Sequence, residues 1–419
     1  MTEAELGDNS NTDRAVHWDR WPWLFVALGS LLRVAWPLDM EWKYDEKWMF
    51  QTAVRVATGQ EAWSWVGMPS GVQLRNPGLS FWPFALLGHL TQDPVAMTQA
   101  VQWANVLGVW ALAAWVWRTW PLPDRALGLW SIALYAVSPL AVLFSRKLWA
   151  QDLLILLVVP WLWGHRKRDT KLGGFGWGLF GALLGQLHMS GFFAAAALCV
   201  VTLWRDRRRF PVLPWLLGSL CGAWPLIPWL LEVARPGTHE TALTHAHRSL
   251  AFVSHGVRHA FGLGLEYPLG KQHYKTFLRG PEWFGVGTRL NALARDGLFA
   301  LLGIGILLRL RALRDPSQRS VPEPVVTYLA TVLLTGLLLL AVGVHVFAHY
   351  LIVFGPLLHL GAAWLLYPRR VALFSACVLQ AVLSVNFACF IHEHGGVRDA
   401  DYGATYRVQS DAERRELTP

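Results

Sequence analysis

An acidic pair, Asp45 and Glu46, follows the first long apolar segment of the chain. Carboxylates at a membrane surface are costly to bury and add nothing to apolar packing, so the pair is a candidate for chemistry. A carboxylate within hydrogen-bond reach of a hydroxyl or amine can take its proton as a general base. The alternative is that the pair caps a helix and meets Lys43 and Lys47. The residues alone leave both interpretations open.

Three basic residues occupy positions suited to binding an anion. Arg33 lies inside the first apolar segment, where a guanidinium needs a partner such as Asp39, Glu41 or a lipid phosphate. Arg146 and Lys147 follow the third apolar segment, and a guanidinium can bind phosphate through two parallel hydrogen bonds. The alternative for this second pair is a side chain that reaches from a helix end towards water.

Histidines form a second group of polar residues. His188 interrupts a long apolar stretch, and His349-Tyr350 opens a late apolar segment. We predict that these residues line a cavity, with anchoring at the membrane interface as the alternative.

A long loop carries six further histidines: His239, His245, His247, His255, His259 and His273. The spacing of His255 and His259 puts two imidazoles on one helical face and could bind zinc. However, the glutamate of a His-Glu-x-x-His motif is missing, and hydrogen bonding within the loop or contact with a substrate is the alternative. We predict no cofactor. A divalent metal ion would be compatible with the chemistry, but no motif supports one.

The elements that position these residues are long apolar helices. The 419 residues are 54% hydrophobic and 16% charged, and the apolar residues come in runs of about 20. This composition predicts an all-α, polytopic transmembrane protein. The net charge of +9 does not indicate nucleic-acid binding, because the basic residues gather in short loops between apolar runs. The four cysteines lie in predicted spans, so no disulfide framework is expected.

Hydropathy predicts about eleven spans, at 21–38, 96–117, 126–144, 150–164, 175–187, 190–204, 211–232, 294–310, 325–344, 349–367 and 371–391. The stretch from Leu172 to Trp204 is too long for one span and has basic flanks. We therefore interpret it as two short helices that turn near His188. The first run lacks a cleavage site after it and is predicted to remain as a helix.

Basic residues concentrate in alternate loops, which places those loops in the cytoplasm by the positive-inside rule. We predict one transmembrane domain over 1–391 with two large outer loops, 39–95 and 232–291, that carry interfacial helices. A short outer tail covers 392–419. The acidic pair, Lys147, His188 and His349 then all lie on the outer side.

The order of motifs resembles the GT-C superfamily of polytopic glycosyltransferases, in the bacterial branch related to protein O-mannosyltransferases and to aminoarabinose transferase. The matching residues are Arg33, Tyr44-Asp45-Glu46, Ala53, Gly59, Asn76-Pro77-Gly78-Leu79-Ser80-Phe81-Trp82, Ser138-Pro139, Ser145-Arg146, His349-Tyr350 and Pro356. Many relatives have Lys-Pro-Pro-Leu where this chain has Asn76 to Leu79. A phosphate-binding role for Arg75 is therefore inferred from its charge, since it matches no family position.

The resemblance implies a GT-C-like fold and transfer of a sugar from a polyprenyl-phosphate donor to a lipid, glycan or protein acceptor, at the periplasmic side of the bacterial cytoplasmic membrane. Asp45 would be the base, with Glu46 positioning it or the acceptor, in an inverting single displacement. A retaining route needs two carboxylates that bracket one bond, whereas helix neighbours point about 100° apart. The expected substrate-binding residues are Arg33, Tyr44, Arg75, Arg146, Lys147, His188, His349 and Tyr350.

The main alternative function is a transporter or flippase for a lipid-linked glycan, which would also need cations beside a cavity open to lipid. Transporters often show inverted repeats with paired broken helices, whereas the outer loops here are placed asymmetrically. A purely structural scaffold is the third interpretation, and it would leave the acidic pair without a purpose. No phosphate-binding glycine loop occurs, which disfavours a nucleotide-sugar donor.

Overall fold

The computed structural model describes residues 20–69, 75–234, 250–283, 286–312, 314–315 and 321–417. This part of the chain is almost entirely helical, with small two-stranded ribbons. The α-helices are α1 (Trp21–Val34), α2 (Tyr44–Ala57), α3 (Trp82–Leu90), α4 (Pro94–Thr119), α5 (Leu122–Val137), α6 (Pro139–Leu143), α7 (Leu154–Arg166), α8 (Lys171–Leu187), α9 (Ser190–Asp206), α10 (Val212–Ala223), α11 (Leu226–Val233), α12 (Ala251–Ala260), α13 (Glu266–Leu278), α14 (Leu290–Ala312), α15 (Glu323–Val342), α16 (Gly355–Leu366), α17 (Arg370–His394) and α18 (Tyr406–Leu417).

The strands pair as three antiparallel ribbons within the described ranges: β1 (Val66–Pro69) with β2 (Arg75–Pro77), β3 (Glu282–Trp283) with β4 (Val286–Gly287), and β5 (Gly396–Val397) with β6 (Gly403–Ala404). Short 3₁₀ helices span Pro37–Asp39, Gly78–Ser80, Ala150–Leu153, Arg207–Arg209 and Ala348–Phe354. The β5–β6 ribbon and α18 make up most of the C-terminal segment.

A helix lies in each of the eleven apolar segments predicted from the sequence. The prediction of two helices within Leu172 to Trp204 is confirmed, because α8 ends at Leu187 and α9 begins at Ser190. Two segments are broken: Pro139 separates α5 from α6, and α10 and α11 meet at an angle of 60°. A proline has no N–H to continue a helix, so such breaks are expected at these positions.

Four segments among the described residues are long and apolar enough to cross a membrane, namely Pro94–Thr119, Glu323–Val342, Ala348–Leu366 and Arg370–His394. The bent pair α10–α11 would be a fifth if it forms one span. Several spans of this length indicate a membrane protein.

Helix α5 lies at the centre of the packing, against α1, α16 and α17. Every residue from Leu127 to Val137 is buried. Gly29 of α1 lets the two backbones approach closely, since a Cβ atom there would lie 2.2 Å from the carbonyl oxygen of Ala136. Small residues at helix crossings are a common way to pack helices in membranes.

The two large loops predicted from the sequence carry much of the remaining structure. The first contains α2, the β1–β2 ribbon and α3, and the second contains α12, α13 and the β3–β4 ribbon. Part of the second loop, with His239, His245 and His247, lies outside the described residues. The C-terminal segment packs back onto the first loop, where the backbone N–H of Tyr406 donates to the carbonyl of Met40.

The close approach of α1 and α5 predicts that alanine substitutions at two glycines have different effects on stability. We expect Gly29→Ala to lower the free energy of unfolding by about 1–3 kcal/mol, because the methyl group would push against the Ala136 carbonyl. Gly303→Ala in α14 is the control, since no atom lies within 4 Å of a Cβ there, and alanine favours a helix by up to about 1 kcal/mol. Thermal unfolding in one detergent compares them, and equal midpoints would contradict the close packing.

Candidate functional site

The site is centred on Glu41, which the sequence offered only as a partner for Arg33. Its side chain is 1% exposed, and its Oε2 accepts a hydrogen bond from the Nζ of Lys147 and forms an ion pair with the Nζ of Lys43, each at 3.0 Å. The other carboxylate oxygen, Oε1, is buried and has no hydrogen-bond partner among the described residues. A buried carboxylate needs such counter-charges because of the cost of removing it from water.

Lys147 is the cation at the middle of this arrangement. The loop between α6 and the 3₁₀ helix Ala150–Leu153 carries it, and its Nζ lies 4.1 Å from the ring centre of Trp149. Its backbone N–H donates to Oδ2 of Asp152 at 3.3 Å. Burial acts to lower the pKa of Lys147, but the negative charge of Glu41, together with Glu46 and Asp152, outweighs burial and raises it. Lys147 is therefore an ammonium ion held in place.

Asp45 lies in the first turn of α2 and is partly exposed. Its Oδ2 accepts a hydrogen bond of 3.2 Å from Nε1 of Trp149, the residue whose ring faces Lys147. Burial raises the pKa of Asp45, and the positive charge of Lys147 opposes this shift. The carboxylate is thus oriented by an indole, lies near a fixed cation and remains accessible from one side.

Glu46 points elsewhere, as neighbouring positions on a helix must. Its Oε2 accepts from the backbone N–H of Lys43 at 3.1 Å, which completes a cap at the start of α2. Only 1% of the residue is exposed, and burial raises the pKa of Glu46 to about 6. The capping alternative is therefore the arrangement seen for Glu46, while Asp45 is the accessible member of the pair.

A series of aromatic and imidazole rings in contact with one another begins at Trp149. The ring of His349 lies 4.8 Å from that of Trp149 and 5.9 Å from that of His188, measured between centroids. Tyr350 lies 5.1 Å from His188. The predicted residues His188, His349 and Tyr350 are thus brought together beside Asp45, and Nδ1 of His349 has no partner within the described residues.

Arg33 does not have the partner that the sequence suggested. Its guanidinium is 1% exposed and donates to the carbonyls of Gly29, Ala136 and Ala141, with no acidic residue or phosphate required. The break between α5 and α6 leaves carbonyls without helical partners, and an unpaired carbonyl is costly in an apolar interior. The expectation of Asp39 or Glu41 as its partner is wrong, and Arg33 holds the helix break together.

Arg146 also satisfies backbone groups. Its two terminal nitrogens donate to the carbonyls of Leu32 and Trp36, at the C-terminal end of α1. This guanidinium therefore caps a helix, and its use as a phosphate clamp stays a prediction. The neighbouring Lys147 faces the site instead.

Two predicted substrate-binding residues, Tyr44 and Arg75, lie outside the cluster around Lys147. The side chain of Tyr44 is exposed, at 73%, and makes no hydrogen bond or ring contact with the other candidates among the described residues. Arg75 is exposed in strand β2, where its carbonyl accepts from Nε1 of Trp229 in α11, and its guanidinium forms no ion pair with an acidic residue of the described chain. Neither belongs to the cluster around Lys147.

Asp39, at the end of the first loop's 3₁₀ turn, anchors the C-terminal segment. Its carboxylate accepts from Nε of Arg407 at 2.8 Å and pairs with the ring of His392. The Nζ of Lys43 donates to the backbone carbonyl of Asp401 and forms an ion pair with Glu41. The described part of the short tail predicted at 392–419 therefore packs against the edge of the site.

No group of three histidine, cysteine, aspartate or glutamate side chains in the described ranges is placed to hold a metal ion. His259 is 1% exposed and packs against His359, whereas His255 is partly exposed. The zinc alternative thus gains no support from these two residues.

Sequence reasoning missed Glu41, Trp149 and Asp152 as members of the site. One signal was present, since the charged residues Asp39, Glu41 and Lys43 occupy alternate positions just before α2. Trp149 was indistinguishable from the many tryptophans at helix ends, and only the fold brings it to Asp45.

Comparisons with protein-family models, with curated proteins and with solved structures find no match to the chain.

The buried cap predicts a pH dependence of stability. The folded-state pKa of Glu46, about 6, is above its ordinary value of 4.5. The contribution of protonated Glu46 to the free energy of unfolding is therefore fully present below pH 4.5 and is lost as the pH rises through 6. A glutamine side chain at this position cannot ionise and can still accept from Lys43. We expect the free energy of unfolding of Glu46→Gln to equal that of the wild type below pH 4.5 and to exceed it by about 2 kcal/mol above pH 6.

Unfolding measured in detergent across pH 4 to 8 checks this difference. Glu61→Gln is the control for loss of a carboxylate, since Glu61 forms an exposed pair with Arg55. A variant at Glu46 that is less stable than the wild type at pH 7 would contradict the buried cap.

Proposed function

We propose that the protein is a membrane glycosyltransferase that moves a sugar from a polyprenyl-phosphate donor to a lipid, glycan or protein acceptor. The observation that carries the proposal is the partly exposed carboxylate of Asp45, oriented by Trp149 beside the buried ammonium of Lys147. The order of motifs resembles that of the GT-C superfamily, and this resemblance supports sugar transfer as the type of reaction. In this proposal the chain has a GT-C-like fold with about eleven spans.

Asp45 is the general base. Burial raises the pKa of Asp45, which makes it a better proton acceptor than an ordinary exposed aspartate, and the positive charge of Lys147 opposes this rise. It removes the proton from an acceptor hydroxyl or amine as that group attacks the anomeric carbon. The bond from that carbon to the phosphate oxygen breaks, and the electron pair leaves with the polyprenyl phosphate. A single displacement of this kind inverts the anomeric configuration.

The departing phosphate needs a cation, and Lys43 takes the role first given to Arg146. The side chain of Lys43 is one-third exposed, and its partners are Glu41 and Asp401 at the edge of the site. An ammonium group at this position can meet developing negative charge without a large rearrangement. Glu41 fixes both lysines, so it acts as a positioning residue.

The rings of Trp149, His349 and Tyr350 form an aromatic wall next to the base. Ligand sites in proteins commonly combine aromatic walls with a few polar groups that set orientation. In the proposal this wall packs against the sugar ring. The reaction takes place at the periplasmic side of the bacterial cytoplasmic membrane, a side that the positive-inside rule supports for these loops.

Substitution of the base tests the proposal. Purified protein is incubated with radiolabelled polyprenyl-phosphate sugars and a membrane extract as the source of acceptors. Asp45→Asn is expected to reduce transfer by about 10²–10⁴-fold, because general-base catalysis contributes that much. Trp149→Phe keeps an aromatic ring but removes the hydrogen bond to Asp45, and we expect an intermediate loss.

Glu61→Gln serves as the matched control, since this exposed carboxylate lies beyond the end of α2. Its transfer rate should equal that of the wild type. Unchanged transfer by Asp45→Asn at normal expression would reject Asp45 as the base, and a wild-type protein inactive with every donor would reject the function.

A further inference from the structure

A cavity of about 240 Å³ lies far along the chain from the candidate site. It is lined by Leu308, Arg309, Ala312, Tyr367, Pro368 and Arg369. These residues come from the C-terminal end of α14 and from the turn between α16 and α17. None of the lining residues is acidic, so the two guanidinium groups have no counter-charge within the lining.

The cavity lies where membrane-spanning segments end. One candidate span finishes at Leu366 and the next begins at Arg370. The phosphate groups of lipids lie at this level, just outside the hydrocarbon core. The sequence places the same arginine-rich turns on the cytoplasmic side, where anionic lipids attract basic residues.

Arg309 is held in a fixed position at the wall of the cavity. Its Nε and Nη2 donate to the carbonyl of Trp364, and Nη2 also donates to that of Tyr367. Its guanidinium lies 4.6 Å from the ring centre of Trp364. These contacts leave Nη1 without a hydrogen bond to the described chain. A guanidinium fixed in this way loses little entropy when it binds an anion.

Arg369 supplies the second charge. Its side chain is exposed, makes no hydrogen bond or ion pair within the described ranges, and lines the same cavity as Arg309. Two like charges at one cavity are unfavourable unless an anion lies between them. Arginine suits phosphate because its planar donors match the oxygen geometry.

We propose that this cavity binds a phosphate group, supplied by the headgroup of an anionic phospholipid at the cytoplasmic surface. Three observations carry the proposal: the cavity, the fixed Arg309, and an Arg369 side chain that has no partner in the part of the chain that the structure describes. It does not depend on the proposed enzymatic function, because it concerns a different part of the molecule.

Lipid exchange in nanodiscs tests the proposal. Full-length protein is placed in phosphatidylcholine discs with or without phosphatidylglycerol, and both thermal unfolding and lipid retention in native mass spectrometry are measured. The wild type should be stabilised by phosphatidylglycerol and should retain it. Arg369→Gln should bind it about five-fold more weakly, since one arginine near the surface contributes about 1 kcal/mol. Arg369→Lys keeps the charge and should restore most of the retention, which separates loss of the charge from loss of folding.

Arg311→Gln is the matched control, because it removes an exposed arginine of α14 that does not line the cavity. Inorganic phosphate added to phosphatidylcholine discs identifies the source: stabilisation by phosphate but not by phosphatidylglycerol would overturn the lipid as the source. If Arg311→Gln and Arg369→Gln lose phosphatidylglycerol retention equally, the site itself is overturned. It is also overturned if neither phosphatidylglycerol nor phosphate raises the unfolding temperature of the wild type.

Discussion

The buried carboxylate of Glu41 joins two lysines that come from distant parts of the chain, and the candidate site depends on this interaction. Lys147 reaches it from the loop after α6, and Lys43 reaches it from the start of α2. Removing charges from water costs several kcal/mol per ion, and the pair is stable only while both signs are present with good geometry. The loop before α2 and the loop after α6 are therefore held in one relative position. That position brings Trp149 to Asp45.

The charged groups around this pair have separate uses. Glu46 caps α2, Asp152 accepts from the backbone of Lys147, and Asp39 binds the C-terminal segment. Asp45 is the member left accessible to a ligand, beside a wall of aromatic and imidazole rings. The C-terminal segment covers one edge through Asp401 and Arg407. A site assembled from the first loop, the loop after α6, the segment just before α16 and the C-terminal segment needs the whole bundle to be folded.

The sequence predicted the helices well and the partners of the charged residues poorly. A long apolar run is a local signal, so each of the eleven segments contains a helix, and the break at His188 could be located. The different directions of Asp45 and Glu46 also follow from helix geometry alone. The partners of Arg33 and Arg146 were not predicted, because they are carbonyls at a helix break and a helix end. Hydropathy does not show which backbone groups lack a partner after folding, and it does not show which tryptophan meets which carboxylate.

A double-mutant cycle on Glu41 and Lys147 is the most direct measurement of the central interaction. Unfolding free energies are compared for the wild type, Glu41→Gln, Lys147→Met and the double variant in one detergent. Each single change should cost about 3–5 kcal/mol because it removes a directly bound counter-charge from a buried ion pair, and the double change should cost at least about 1 kcal/mol less than the sum. Additive effects, within about 0.5 kcal/mol, would show that the two charges do not stabilise each other and would contradict this account of the site.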